Sequence, residues 1–415
     1  MHGPGFMEGV IELVKEGKLQ ESQVDRACKA ILEAKFRLGL FENPFVDLKE
    51  SKKVIYNGLH TASALEAAEK SIVLLKNENL LPLDFSKYNN ILVTGPNANN
   101  HTILGDWTLQ QPEEKVVTIL EGIQEAAGKN KVTYYNYGDD VRQNSPEKVK
   151  AAAEMAKKSD LAIVVVGENP LRYQKTKTCG ENIDRMSLDL LGTQEEHATG
   201  VPTIVVLVGG RPLSVNWIAE NVPALIQAWE PGSVGGTALA NIISGKVNPS
   251  AKLPISIPRH AGQIQMIYNH KPSQYFHKYK DGPSSPLYAF GYGLSYTKFE
   301  ISAPVLSRNK IANNQSVNVS VQVKNIGKLE GTEVVQLYIR DIYSSATRPI
   351  KELKDFARVS LKPGESKTVN FTITPDKLAF FNREMHYVVE SGVFEIMVGS
   401  SSMDKDLKMV KLEVM

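Results

Sequence analysis

Four short apolar runs constrain this chain more than any other feature. They are Ile72-Val73-Leu74-Leu75, Ile91-Leu92-Val93-Thr94-Gly95, Leu161-Ala162-Ile163-Val164-Val165-Val166-Gly167 and Thr203-Ile204-Val205-Val206-Leu207-Val208-Gly209. A weaker fifth run covers Ala224 to Trp229. Unbroken runs of this length, bounded by glycine, mark strands buried on both faces. Helical patterns intervene at 62–71, 118–127, 146–158 and 235–244. Strand–helix alternation predicts a mostly parallel sheet covered by helices, with ligands meeting the loops at the strands' carboxyl ends. One crossover is too short. Between Leu190 and Val201 only Gly192 to Thr199 is left for it, two helical turns at most. That reads as a local deletion.

Beyond residue 250 the pattern changes. Residues 268–296 are rich in Pro, Gly and Tyr and read as an ordered loop region without helix or strand. From 299 onward, period two takes over. Val317, Val319, Val321 and Val323 form one strand face, and Val335, Leu337 and Ile339 another. Val369, Phe371 and Ile373, then Val393, Phe394, Ile396 and Val398, continue the series. Turn signals at 325–327, 362–365 and 391–392 separate them, so this part predicts a β-sandwich of fibronectin or immunoglobulin type.

The first 40 residues read instead as two helices, broken near Lys15-Glu16-Gly17-Lys18 and ended by Gly39. Two helices without a strand make no domain alone, so this segment is expected to be the remnant of something upstream. A net charge of only +2, with basic residues dispersed, excludes an electrostatic footprint for nucleic acid or an anionic membrane. No apolar run is long enough for a transmembrane helix, and Met1 to Phe6 carry no export-signal pattern. Cys28 and Cys179 form no disulfide framework, and eight histidines show no ligand spacing, so neither a metal nor a cofactor is expected. Oligomeric state and compartment are not legible. Gly235-Gly236 at a helix start reads as a tight turn rather than a phosphate site. No Gly-x-Gly-x-x-Gly turn or Gly-x-Ser-x-Gly elbow follows a strand, which disfavours a nucleotide- or acyl-dependent enzyme.

An ordered series of segments carries a family resemblance. It runs through Leu13 to Lys18, Ile31 to Pro44, Ser71 to Asn77 with Leu81-Pro82-Leu83, and Gly209-Gly210-Arg211-Pro212. It continues through Ala228-Trp229-Glu230-Pro231-Gly232, Gly235-Gly236, Asn248 to Pro254 and Phe290 to Thr297. The chain resembles the family 3 glycoside hydrolases, bacterial β-glucosidases and β-xylosidases, over essentially its whole length. The resemblance implies the carboxy-terminal half of such an enzyme without its catalytic barrel. The implied architecture is a helical barrel remnant and linker (1–60), a mostly parallel six-stranded α/β sandwich (61–262) and an ordered linker (263–298). A fibronectin type III-like domain (299–415) completes it. Intact members of the family are often periplasmic or secreted.

The resemblance also implies chemistry: retaining hydrolysis of terminal β-glycosidic bonds in an oligo- or disaccharide or aryl β-glycoside. Two carboxyl groups roughly 5 Å apart serve as nucleophile and acid/base. The family's nucleophile is a barrel aspartate in a Ser-Asp-Trp-like segment, and this sequence has none, so the chain alone is expected to be inactive. Gly105-Asp106-Trp107 is the nearest imitation, with Asp106 a remote candidate. For the acid/base, Glu181 in Gly180-Glu181-Asn182-Ile183-Asp184-Arg185 is the first choice and Glu168 in Gly167-Glu168-Asn169-Pro170 the second. The competing reading of Glu181 is a solvated carboxylate paired with Arg185 or Lys177, and of Glu168 a loop anchor. Trp107, Arg172, Tyr173, Asp184 and Arg185 are candidate sugar contacts, since aromatic rings suit the apolar faces of pyranoses. Trp217 and Trp229 read as core residues. A non-catalytic carbohydrate-binding or assembly module is the alternative function.

Overall fold

The computed structural model describes residues 3, 5–197, 201–263, 265–272 and 279–415. Its contacts divide the chain into two units, residues 1–60 and 61–415. The first holds α1 (Phe6–Lys15), α2 (Glu21–Arg37) and α3 (Leu48–Val54). The break between α1 and α2 falls where Gly17 adopts a positive φ. No residue of α1 or α2 is buried, and Ile31, Phe36 and Leu38 are exposed.

The second unit begins in α4 (Gly58–Ser71) and continues through β1 (Val73–Asn77), β2 (Ile91–Thr94), α5 (Ile119–Ala127), β3 (Val132–Tyr135) and α6 (Pro146–Ala156). Then come β4 (Leu161–Gly167), β5 (Thr203–Val208), α7 (Asn216–Asn221), β6 (Ala224–Trp229) and α8 (Gly235–Ile243). The sheet order is β1-β6-β5-β4-β2-β3, parallel throughout except for β1 against β6. All four long apolar runs form strands of this sheet. Their alternate side chains feed two cores, one under α4, α5 and α8, the other under α7 and residues 251–257. Every residue of β4 and β5 is buried, which is why those runs show no polar alternation.

The short crossover is genuine. Between β4 and β5 the chain makes a long loop and one 3₁₀ turn, Gln194–His197; residues 198–200 lie outside the described part. Among the described residues this crossover holds no α-helix, and Gln194 supplies contacts in its place. Fully buried, it bonds the Gly167 N–H and the carbonyls of Gly167, Val141 and Leu191. Trp217 corrects the core reading: it lies on α7 and is 45 % exposed. Trp229 is half-buried and packs against the second core.

Residues 299–415 form the sandwich. One sheet joins β7 (Phe299–Ile301), β8 (Val305–Leu306), β10 (Val317–Asn325) and β13 (Ser366–Ile373). The other runs β12 (Glu352–Leu361), β11 (Gly331–Asp341), β16 (Gly392–Gly399), β17 (Leu407–Val414) and β9 (Lys310–Ile311). A small hairpin, β14 (Phe380–Phe381) with β15 (Tyr387–Val388), stands apart. The four valines of β10 are buried opposite Val335, Leu337 and Ile339, as alternation requires. Val393 is 37 % exposed, because its neighbour Phe394 takes the inward position. A buried ion pair, Lys252 with Glu333 at 2.8 Å, ties the α/β layer to the sandwich.

Candidate active site

The parallel strands end at one edge of the sheet, and the candidate residues gather there. β2 is followed by Asn97 and by the Gly105-Asp106-Trp107 turn. β4 is followed by Glu168, β5 by Gly209 to Arg211, and β6 by Glu230. Strand order reverses between β2 and β4, the place where open α/β sheets offer a crevice. Asn97 spans it, donating to the Glu168 carbonyl at 2.9 Å.

Glu168 is not presented to that crevice. Its side chain is 1 % exposed, held by Arg185 Nη1 at 2.7 Å and Arg211 Nε at 3.0 Å. Both arginines also bind loop backbone, Arg185 at the Asp189 carbonyl and Arg211 at the Ile183 carbonyl. Arg185 is therefore a clamp on Glu168, not a free sugar contact.

Glu181 is the opposite case, with a side chain 52 % exposed. Its partner is Arg172 at 3.5 Å, because Arg185 and Lys177 are taken by Glu168 and Asp106. The loop bearing Glu181 is fixed from behind. Asp106 accepts the Glu181 N–H at 2.7 Å, Lys177 Nζ at 2.7 Å and Arg172 Nε at 3.2 Å. Gly180 is required for this approach: its φ is +96°, and a Cβ there would lie 2.7 Å from the Asp106 carboxyl carbon. Asn169 completes the frame, bonding Thr178, Gln174, Thr176 and Leu171.

Asp106 thus anchors the loop through its charge. Burial pushes its pKa up, but Lys177, the Glu181 N–H and Arg172 outweigh that and hold it well below the usual carboxylate range. In the acid range below about pH 4 the unfolded chain binds the proton that the folded one refuses. The stabilisation is complete above that pH and is lost as pH falls toward the folded value. Asp106→Asn should therefore lower the unfolding midpoint at pH 7, with the gap to the parent chain closing in acid. Denaturation curves at pH 7 and pH 3 check this, and a gap independent of pH would refute it.

Trp107 is 76 % exposed, with the Arg172 guanidinium 3.8 Å from its ring centre. Tyr173 is 38 % exposed beside it in sequence. Neither lines the cavity of about 430 Å³ at this edge. Asp184 and Arg185 do line it, with Asp106, Cys179, Arg211 and Glu230. Glu230 was missed by sequence reasoning, although a charged residue directly after an apolar strand was a usable signal. Its carboxyl is raised by burial first, then by Asp106 and Glu168, against the Gly210 N–H that it accepts.

The glycosyl hydrolase family 3 C-terminal domain matches residues 72–296, more than half of the chain, and a fibronectin type III-like domain matches residues 333–402. A β-xylosidase of Formosa agariphila is 43 % identical over 407 residues, covering 94 % of this chain and 55 % of the relative. A periplasmic β-glucosidase of Salmonella typhimurium is 36 % identical over 427 residues, with the same two coverages. A β-glucosidase of Listeria innocua, solved in complex with isofagomine, superposes with a TM-score of 0.85 at 33 % identity, over 98 % of this chain and 57 % of that one. The chain spans about half the length of the curated relatives it matches. Sequence, sheet order and appended sandwich agree that this chain belongs to glycoside hydrolase family 3, whose C-terminal domain it carries.

Proposed function

We propose that the chain supplies the acid/base half of a retaining β-glycosidase, with Glu181 as the acid/base. One observation carries this reading: Glu181 is exposed at the sheet's ligand edge on a loop that Asp106, Lys177 and Asn169 hold rigid. A general acid needs that combination of fixed backbone and exposed carboxyl, and the solvated pair with Arg172 holds it only weakly. Glu168, locked between two arginines, serves as the loop's anchor, and Asp106 does the same rather than acting as nucleophile. Trp107 offers an exposed ring for a pyranose face.

The nucleophile belongs to a barrel that this sequence does not contain. The apolar side chains of α1 and α2, such as Ile31 and Phe36, would pack against it. The 415-residue chain alone should release no aryl alcohol from an aryl β-glucoside or β-xyloside, whereas joining or mixing it with a family 3 barrel should restore turnover. Turnover by the pure chain would refute the division of labour. Saturable oligosaccharide binding without restored turnover would favour the binding-module alternative, which the exposed Trp107 also suits.

A further inference from the structure

A cavity of about 550 Å³ lies where Arg259, the linker tyrosines and the sandwich segments 350–351 and 402–405 meet. It shares no wall residue with the cavity at the sheet's carboxyl edge. Its volume is that of a small-molecule site. The aromatic wall is held still. Tyr268 stacks on Phe290 with ring centres 4.1 Å apart, and its hydroxyl accepts the Leu353 N–H at 3.2 Å. Tyr288 and Tyr292 stack at 5.5 Å, and the Tyr292 hydroxyl donates to the Leu75 carbonyl at 3.2 Å. Burial, and next Tyr292, push the Tyr288 phenol up, so it keeps its proton and adds no negative charge.

The charged part of the wall is unbalanced. Lys351 is buried and already committed: it pairs with Asp404 and donates to the Ser402 carbonyl at 2.9 Å. That leaves Arg259 and Lys405, neither of which has a carboxylate partner among the described residues. Arg259 is fixed by its surroundings. Its backbone N–H donates to the buried Gln263 side chain at 2.7 Å, and its carbonyl accepts from Asn216 at 2.7 Å. Its Nε donates to the Ser285 carbonyl at 3.3 Å, while the two terminal nitrogens hold no hydrogen bond among the described residues. A guanidinium open at that end presents the paired donors that a carboxylate accepts. A neutral ligand would leave both cations unmatched, and an inorganic anion would leave three aromatic rings uncovered.

We propose that this cavity binds a small aromatic carboxylate, its anion on Arg259 and its ring against Tyr268, Tyr288 and Tyr292. Lys405, exposed at the rim, adds attraction without a fixed geometry. Binding here needs neither Glu181 nor a barrel, so it stands or falls apart from the acid/base reading.

The 415-residue chain itself serves for the test. In its presence 4-fluorobenzoate should show saturable broadening of its ¹⁹F NMR line, with a Kd on the order of 1 mM. Arg259→Gln should raise that Kd about tenfold or more, through loss of a charge-assisted pair. Arg259→Lys keeps the charge without the fork, and should raise it about threefold. The uncharged 4-fluorobenzamide should bind the parent chain about tenfold more weakly. Should Arg259→Gln fail to fold, the exposed Lys405→Glu decides, with an expected rise of about threefold. Unchanged affinity in the deciding variant, or equal binding of the amide, would overturn the assignment. Tighter binding of methyl β-D-glucuronoside than of 4-fluorobenzoate would overturn the aromatic class.

Discussion

Glu168→Ala should destabilise the second unit by about 3–5 kcal/mol, the usual cost of removing one member of a buried ion pair. Three charges meet at this point, and only Glu168 is negative. Without it, Arg185 and Arg211 are left against each other with side chains 10 % and 21 % exposed. Each also holds a loop carbonyl, so the damage should spread to residues 183–189. Glu168→Gln should cost nearly as much, because an amide offers one acceptor where two guanidiniums need the carboxylate. Glu181→Ala, which removes only an exposed pair at 3.5 Å, should cost about 1 kcal/mol or less. Urea unfolding resolves the difference as a shifted midpoint at constant slope. A loss below about 1 kcal/mol in Glu168→Ala would mean that the arginines find other partners. The clamp would then be dispensable.

This contrast was not legible in the sequence. Both glutamates follow a glycine in a polar loop, and spacing cannot tell a buried carboxylate from an exposed one. Their fates are set by Arg211, more than forty positions from Glu168, and by Asp106, seventy-five positions from Glu181. The strands were legible because burial on both faces leaves an unmistakable run in β4 and β5. β3 was missed for the converse reason. Its four residues are half-buried at the sheet's edge, and Val132-Thr133-Tyr134-Tyr135 carries no clear period. The six-residue α7 was too short to show one. The shortened crossover could be read from its length alone, but not that Gln194 would satisfy the backbone left open there.

The acid/base assignment makes the other large prediction. In the barrel-completed enzyme, Glu181→Gln should lower kcat about 10²- to 10⁴-fold on substrates whose leaving group must be protonated. On an aryl glycoside with a strongly acidic phenol the loss should be far smaller for bond cleavage, since that leaving group departs without a proton. Deglycosylation would then limit the rate, and in Glu181→Gly added azide should restore it by attacking the glycosyl-enzyme in place of activated water. This pattern separates the two glutamates in a way that stability cannot. A clamp variant such as Glu168→Gln should lose activity equally on both substrate types, in proportion to the protein it unfolds, and azide should not rescue it. Fixation of the loop by Asp106 sharpens the expectation. With the Glu181 N–H held at 2.7 Å, shortening or neutralising the side chain changes the proton donor and leaves its mounting in place. If azide rescued Glu168→Gly and not Glu181→Gly, the roles of the two residues would have to be exchanged.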